Sequence, residues 1–418
     1  MTDITTEVVV IGAGQAGIAT SEHLTKAKVD HVVLERDEIA SRWRKERWDS
    51  LVANGPAWHD RFPNLEFEGD QERFVPKEEV ADYMRTYVEK FNLPVNEGIE
   101  VTKVIRNSDK RGFTVETTKD TFKCDYIVAA TGAFQVPVIP AVVPESDGVH
   151  QLHSSDYHNP QQLPAGGILV VGAGSSGVQI ADELAEAGRE VYLAVGPHDR
   201  PPRSYRNRDF VYWLGVLDMW DMVTPAAGAE HVTISVTGAK GGYTVDFRDL
   251  SAKGIHLTGR AGPYEDGVMH FANDLQRNIE AGDRNYLDML EAADKYVEAN
   301  GLDLPKEPEA HNLKPLSDAI IHPPKKLNLK ESGVNTVLWA TGFARDYHWL
   351  DVHDATDSTG APIHQRGVSE AHGVYFVGLP WQSRRGSSFI WGCWHDAKYV
   401  VDQINIQRNY RDYNHPND

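Results

Sequence analysis

Cysteine is nearly absent from this chain of 418 residues: only Cys124 and Cys393 occur, far apart in sequence. That excludes a disulfide framework and the CxxC pair of a thiol redox enzyme, and it makes a reducing compartment the expected one. Basic charge is scarce as well. Lys and Arg number 42 against 61 Asp and Glu, a formal net charge of -19 with histidines neutral. Such a surface repels a phosphate polymer, so no nucleic acid partner is expected. No apolar run approaches the roughly 18 residues of a spanning helix. Met1 leads into an apolar segment by Val8 without a basic leader, which points to a cytoplasmic protein without a membrane partner. Metal clusters are equally unpromising, and no metal is expected.

Glycine, by contrast, stands at two defined places. "TEVVVIGAGQAGIATSEHL", residues 6–24, and "ILVVGAGSSGVQIADELAEAG", residues 168–188, each run from an apolar strand through GxGxxG into an amphipathic helix. After the first, "HVVLER" (31–36) reads as a second parallel strand, and "EVYLAVG" (190–196) repeats the arrangement. The fold expected is therefore α/β with two Rossmann-like units. Between them, Val80, Met84, Tyr87, Val88 and Phe91 share one face of a helix over 77–91. "GFTVETTK" and "TFKCDYIVAATG" suggest a hairpin feeding a buried strand. The Pro-rich piece 136–146 reads as a crossover between domains, because each proline fixes φ and removes a donor. A second crossover is expected near 311–326, after a polar helix near 285–300. "NTVLWATGF" and "GVYFVGLPW" then read as the last strands of the amino-terminal domain, and the closing residues 408–418 as a frayed tail. The division expected is 1–145, 146–320 and 321–418, the middle part inserted into the outer two.

In such a turn the first glycine permits the bend, the second lets the main chain approach a pyrophosphate, and the third lets the helix pack close. These are Gly12, Gly14 and Gly17, then Gly172, Gly174 and Gly177. The alternative is a glycine turn with no ligand. Glu35 ends the second strand of the first unit, where a carboxylate accepts both hydroxyls of an adenosine ribose, as FAD or NAD requires. The second unit ends in "AVGPHDRPPRSYRNRD", with Gly196 where an NAD site would want an acid. It therefore leans towards NADPH, with NADH the alternative. Arg200, Arg203 and Arg206 are candidates for the 2′-phosphate, or else ordinary ion-paired arginines.

Two nucleotide units with an "ATG" after a buried strand in each half, 130–132 and 340–342, resemble the class B flavin monooxygenases, which include flavin-containing, YUCCA-type and Baeyer-Villiger monooxygenases. "SRWRKERWDSLVANGP" (41–56) and "ATGAFQVP" (130–137) are the more specific parts. One departure stands out: in "ESDGVHQLHSSDY", Gly148, His153 and Tyr157 match the family fingerprint, but Ser146 replaces its aromatic and the Gly-to-His gap is one residue longer. His153 then reads as a structural linker residue. The resemblance implies FAD, NADPH, O2 and a small organic substrate, oxygenated through a flavin C4a-hydroperoxide, in a chain for which a homodimer is allowed. The cofactor carries the difficult chemistry.

Carried over position by position, the resemblance places FAD on Gly12, Gly14, Gln15, Ala16, Gly17, Glu35, Arg36, Arg42, Trp43, Trp48, Val101, Thr131, Gly132 and Leu379. The second turn, Gly172, Gly174, Ser175, Ser176 and Gly177, is expected to hold NADPH with Arg200 or Arg203, and Thr341 and Gly342 of the second "ATG" are further expected cofactor contacts. Asn54 matches the active-site asparagine, whose other reading is a turn residue before Gly55. "SSFIWGCWHDAKYV" (387–400) resembles the closing helix whose amino end faces the flavin. Trp381, Trp391 and Trp394 are candidate substrate-pocket residues, and the aromatic segment 209–223 a candidate cap over the cleft. The competing functions are an NADPH oxidase releasing H2O2 and a non-catalytic flavoprotein sensor. A disulfide reductase would need the cysteine pair that is missing.

Overall fold

The structure is a computed structural model that describes residues 3–108, 111–223 and 233–413. Strand β1 (Val8–Ile11) is buried along its whole length, as a strand covered on both faces must be. It enters helix α1 (Gln15–Lys26), and strand β2 (His31–Leu34) returns parallel to β1 with Val8 opposite His31. Helix α2 (Lys77–Lys90) turns Val80, Met84, Tyr87 and Val88 inward, and Phe91 follows at the edge of the same core. Strand β3 (Val95–Asn96) extends the sheet beyond β2, and β4 (Tyr126–Ala129) lies on the other side of β1. The expected hairpin is Phe113–Thr117 against Thr121–Cys124, and it leads directly into β4.

The second sheet contains β5 (His150–His153), β6 (Gly167–Val171), β7 (Val191–Ala194), β8 (His256–Thr258) and β9 (Val334–Trp339), in the order β5-β9-β6-β7-β8 and parallel throughout. Helix α3 (Ser175–Glu186) follows β6, and the helices between β7 and β9 include α4 (Phe210–Val216) and α5 (Leu275–Asn300). Two expectations are corrected here. "NTVLWATGF" forms β9 at the centre of the second sheet, between β5 and β6, and is no strand of the first domain. The segment 311–326 is accordingly no crossover, and the polar helix near 285–300 is the carboxyl-terminal part of α5. A run of buried apolar residues reports that a strand is covered on both faces; it carries no information about which sheet covers it.

The chain passes between the sheets at Val136–Pro137 and again at Phe343–Ala344, and these two crossings pair antiparallel with each other. Each follows directly on an "ATG" segment, so both connections form one two-stranded link. The first sheet is then completed by β10 (His364–Gln365), β11 (Val368–Ser369) and β12 (Val374–Phe376), with β12 parallel to β4. Helix α6 (Ile390–Arg411) packs along α1, with Trp394 and His23 at 4.3 Å between ring centroids. Residues 408–411, expected to fray, end that helix instead, and Arg408 and Arg411 bind Glu7 at 2.9 and 2.8 Å. Residues 414–418 lie outside the described residues.

The two glycine turns repeat each other closely. A Cβ on Gly17 would collide with the Gly12 carbonyl oxygen, and a Cβ on Gly177 would collide with that of Gly172. Helix and strand thus meet through bare main chain in both domains. Gly177→Ala is expected to push α3 off its turn and lower stability by about 1–3 kcal/mol, read as an earlier urea midpoint at unchanged slope.

Candidate functional site

No side chain caps α1, whose first-turn amides are left for a ligand. A Cβ on Gly14 would enter open space, which is the room a pyrophosphate needs. Gln15 Nε2 donates to the Ser388 carbonyl at 3.3 Å, tying the start of α1 to the segment before α6. Ala16 is buried against the turn at Gly378. Glu35 is buried just past β2, where its carboxylate accepts from the amides of Ala13 at 2.8 Å and Asp37 at 3.0 Å and keeps lone pairs for a ribose. Arg36 beside it is exposed. The Ile99 amide donates to the Glu35 carbonyl at 2.8 Å, which brings Val101 to the same end of the sheet. Thr131 and Gly132 follow β4, and Gln135 Nε2 donates to both, at 3.0 and 2.8 Å. This cradle fits an adenine dinucleotide.

Four other residues expected there are placed as follows. Arg42 pairs with Glu46 at 2.5 Å and donates to the Gln135 carbonyl at 3.1 Å, and burial pulls its guanidinium below the ordinary range. Trp43 packs against the cores of both domains. Leu379 is buried, and its amide donates to Gln382 Oε1 at 3.4 Å. Trp48 is buried in the core of the second domain with Leu51, Leu152 and Tyr157.

The second turn has the same frame with different chemistry. Gly12 donates to the Leu34 carbonyl and Gly172 to that of Ala194, so the residue equivalent to Glu35 is Val195 and not Gly196. Val195 is fully buried and has no charge to offer a ribose. Ser175 Oγ donates to the Ile234 carbonyl at 2.9 Å, and Ser235 Oγ to that of Ala173 at 2.5 Å, so residues 233–236 lie along the turn, with the Thr233 methyl crowding Gly174. Ser176 is half-buried in the same first turn. Thr341 donates to the Val138 carbonyl, and the Gly342 carbonyl accepts from His153 Nε2 at 2.9 Å. Both therefore brace the interdomain link, and His153 acts as a structural residue there.

The three candidate arginines are otherwise engaged. Arg200 is buried, paired with Asp283 at 2.7 Å and stacked on Tyr286. Arg203 binds both Asp209 oxygens at 2.6 Å, and Arg206 binds Asp294 at 2.6 Å. A buried guanidinium held by its own carboxylate is not available to a phosphate, which corrects the expectation for Arg200 and Arg203. Sequence reasoning missed Arg260, just past β8. It is exposed, its side chain reaches within 4.0 Å of the point where a Cβ on Gly196 would stand, its amide donates to Asp274 Oδ1 at 3.0 Å, and its guanidinium has no carboxylate partner among the described residues. No motif marks it, because it comes from a strand far away in sequence.

Asn54 lies on strand Val52–Pro56 of the first domain but is held by the second. Its carbonyl accepts from Arg203 Nη1 at 2.7 Å, and its Oδ1 accepts from Gln179 Nε2 at 3.0 Å. Gln179 Nε2 also donates to the Val236 carbonyl at 2.9 Å, which can only accept; this fixes the orientation of both amides. The Asn54 NH2 is thereby left to donate. Burial raises the Asp209 carboxyl and lowers the Arg203 guanidinium, and their bidentate contact offsets both.

Past this turn lies a cavity of about 550 Å³ lined by Trp58, His59, Phe62, Tyr212, Trp220 and Trp391, among others. The aromatic segment 209–223 does cover it, through α4 and Trp220. Of the three tryptophans expected, Trp391 lines this cavity and Trp394 belongs to the core of the first domain. Trp381 is half-buried, outside that lining.

Comparison with known proteins fits this geometry. A family model described as pyridine nucleotide-disulphide oxidoreductase matches residues 9–217. An uncharacterized oxidoreductase CzcO-like of Geobacillus kaustophilus is 32% identical over 95% of this chain and 98% of its own length. The chain belongs to the pyridine nucleotide-disulphide oxidoreductase family. A probable indole-3-pyruvate monooxygenase YUCCA8 of Arabidopsis thaliana is 32% identical over 42% of this chain and 44% of its own. The fold is shared with a flavin-containing monooxygenase from Stenotrophomonas maltophilia, at a TM-score of 0.67 and 18% identity over 97% and 99% of the two chains. The family's cofactors are FAD and NADPH, and the chain is a flavoprotein oxidoreductase. No helix among the described residues is long and apolar enough to cross a membrane, and no group of ligating side chains there could hold a metal.

Arg260→Ala is expected to raise the KM for NADPH about tenfold, the equivalent of about 1.4 kcal/mol, and to leave that for NADH unchanged in steady-state assays. Arg200→Ala should instead lower the melting temperature, because it empties a buried site and leaves Asp283 with Arg248 as its one remaining guanidinium partner among the described residues.

Proposed function

We propose that this oxidoreductase is an NADPH-dependent monooxygenase that inserts one atom of O2 into a small organic substrate through chemistry at flavin C4a. Bound FAD would supply the redox chemistry, taking a hydride from NADPH and activating O2. The first turn with Glu35 would hold FAD, and the second turn with Arg260 would hold NADPH. The observation that carries the reading is Asn54: a donor amide, oriented by Gln179 and Arg203, on the loop of the FAD domain that the NADPH domain grips. Such a group can serve both cofactors and keep the oxygen chemistry from being lost to water. α6 adds a second uncapped amino terminus beside α1, suited to negative charge on a reduced flavin. Two buried free thiols suit a cytoplasmic setting.

Thiol chemistry is disfavoured by the same residues. Burial pushes both Cys124 and Cys393 well above the ordinary thiol range, whereas a redox cysteine works as its thiolate. The double variant Cys124→Ser, Cys393→Ser is expected to retain NADPH consumption; loss of turnover in the folded variant would revive disulfide reduction.

Asn54→Ala should leave flavin reduction by NADPH unchanged. Losing its hydrogen bond costs about 1–3 kcal/mol, so the absorbance transient seen after mixing reduced, NADP+-bound enzyme with O2 should decay roughly ten- to a hundredfold faster. H2O2 yield should rise with it. No transient in the parent, with H2O2 matching NADPH one for one, would make the protein an NADPH oxidase.

A further inference from the structure

The aromatic cavity lies at the meeting of both domains. Trp58, His59 and Phe62 come from the loop after Asn54, Tyr212 and Trp220 from the second domain, and Trp391 from the first turn of α6. It is joined to the Asn54 turn by Asp60, whose Oδ2 accepts from the Gly55 amide at 2.9 Å while Oδ1 contacts His59 Nδ1 at 2.7 Å. His59 stacks on Trp220 at 5.4 Å, and Trp391 meets Trp220 edge-on at 5.3 Å. The walls therefore offer π faces in two roughly perpendicular planes, the arrangement that receives a flat ring by offset stacking and edge contact.

The two guanidinium groups Arg61 and Arg384 beside the cavity each have a carboxylate partner. Arg61 donates to Glu66 at 3.0 Å and to the carbonyls of Trp58 and Phe62 at 3.2 and 3.3 Å. Arg384 pairs with Asp221 at 2.5 Å and sits 6.0 Å from the Trp391 ring. Among the described residues of the lining the one guanidinium, Arg61, is already held by Glu66, so a substrate carboxylate finds no unpaired Arg or Lys there and a substrate cation would face Arg61. Two buried donors are left over, Arg384 Nε beside the cavity and one in its lining. The indole Nε1–H of Trp391 is buried without an acceptor among the described residues. A buried donor without a partner calls for a neutral acceptor atom in whatever fills the space.

We propose that this cavity is the substrate pocket and that it takes an uncharged, flat aromatic compound with one hydrogen-bond acceptor, to the exclusion of carboxylates. The assignment rests on the monooxygenase reading for the word substrate, but its test does not. Three probes of one shape separate the cases: quinoline, quinoline-4-carboxylate and N-methylquinolinium, titrated calorimetrically into the oxidised FAD-loaded enzyme without NADPH. Quinoline is expected to bind at least tenfold more tightly than either ion. Trp220→Ala should weaken it at least tenfold. Trp391→Phe, which keeps a ring and removes the donor, should weaken it three- to tenfold and leave flavin content and melting temperature unchanged. Equal or tighter binding of the carboxylate or the quinolinium overturns the substrate class, and quinoline binding unmoved by both variants overturns the site. If quinoline binds as expected while the oxygen transient is absent, the monooxygenase reading falls and the pocket stands; if the transient is present and quinoline does not bind, the pocket assignment alone falls.

Discussion

The main-chain oxygen of Asn54 accepts a hydrogen bond from a guanidinium of the other domain, and that guanidinium is buried at 5% exposure. Arg203 can be buried because Asp209 neutralises it in a bidentate pair, and Asp209 in turn caps α4, the helix that covers the aromatic cavity. One ion pair therefore fixes the turn that presents the donor amide, the start of the cavity's lid and the approach of the two domains. Breaking such a pair from one side leaves an uncompensated buried charge, so its members behave as a unit. The Asn54 turn and the cavity beside it are interface features, and neither sheet possesses them alone.

The two domains use one backbone device for two purposes. Each brings a helix amino terminus to a strand through a glycine that no Cβ could replace, and each places an "ATG" segment on the neighbouring strand, where the chain crosses to the other domain. The difference lies in what closes the turn. The first is open at Gly14 and has a buried carboxylate; the second is flanked by residues 233–236 and has an apolar Val195 in the same place. A carboxylate selects ribose hydroxyls, and its absence permits a phosphate there. The paired crossings tie the domains together through one two-stranded link.

Much of this was legible in the chain. The GxGxxG turns, their strands and helices, Glu35 and the aromatic cap 209–223 are local patterns, and local patterns survive in sequence because periodicity and turn chemistry act over a few residues. Asn54 was legible as well, as a position in a motif, although its holders Gln179 and Arg203 were not. What failed was everything that depends on a partner distant in sequence. β9 looked like a strand of the first domain, and Arg200 and Arg203 like phosphate ligands, since nothing in a one-dimensional pattern says that Asp283 and Asp209 stand opposite them.

By itself, then, the sequence determined the fold class, the presence of two nucleotide turns and the chemical contrast between them, because each is decided by residues within one βαβ unit. The tertiary structure alone decided which sheet β9 joins, which arginine is free to meet a phosphate and which aromatic rings share a cavity. Those outcomes rest on strand register, charge neutralisation and burial, and each requires knowing what lies on the other side of the contact.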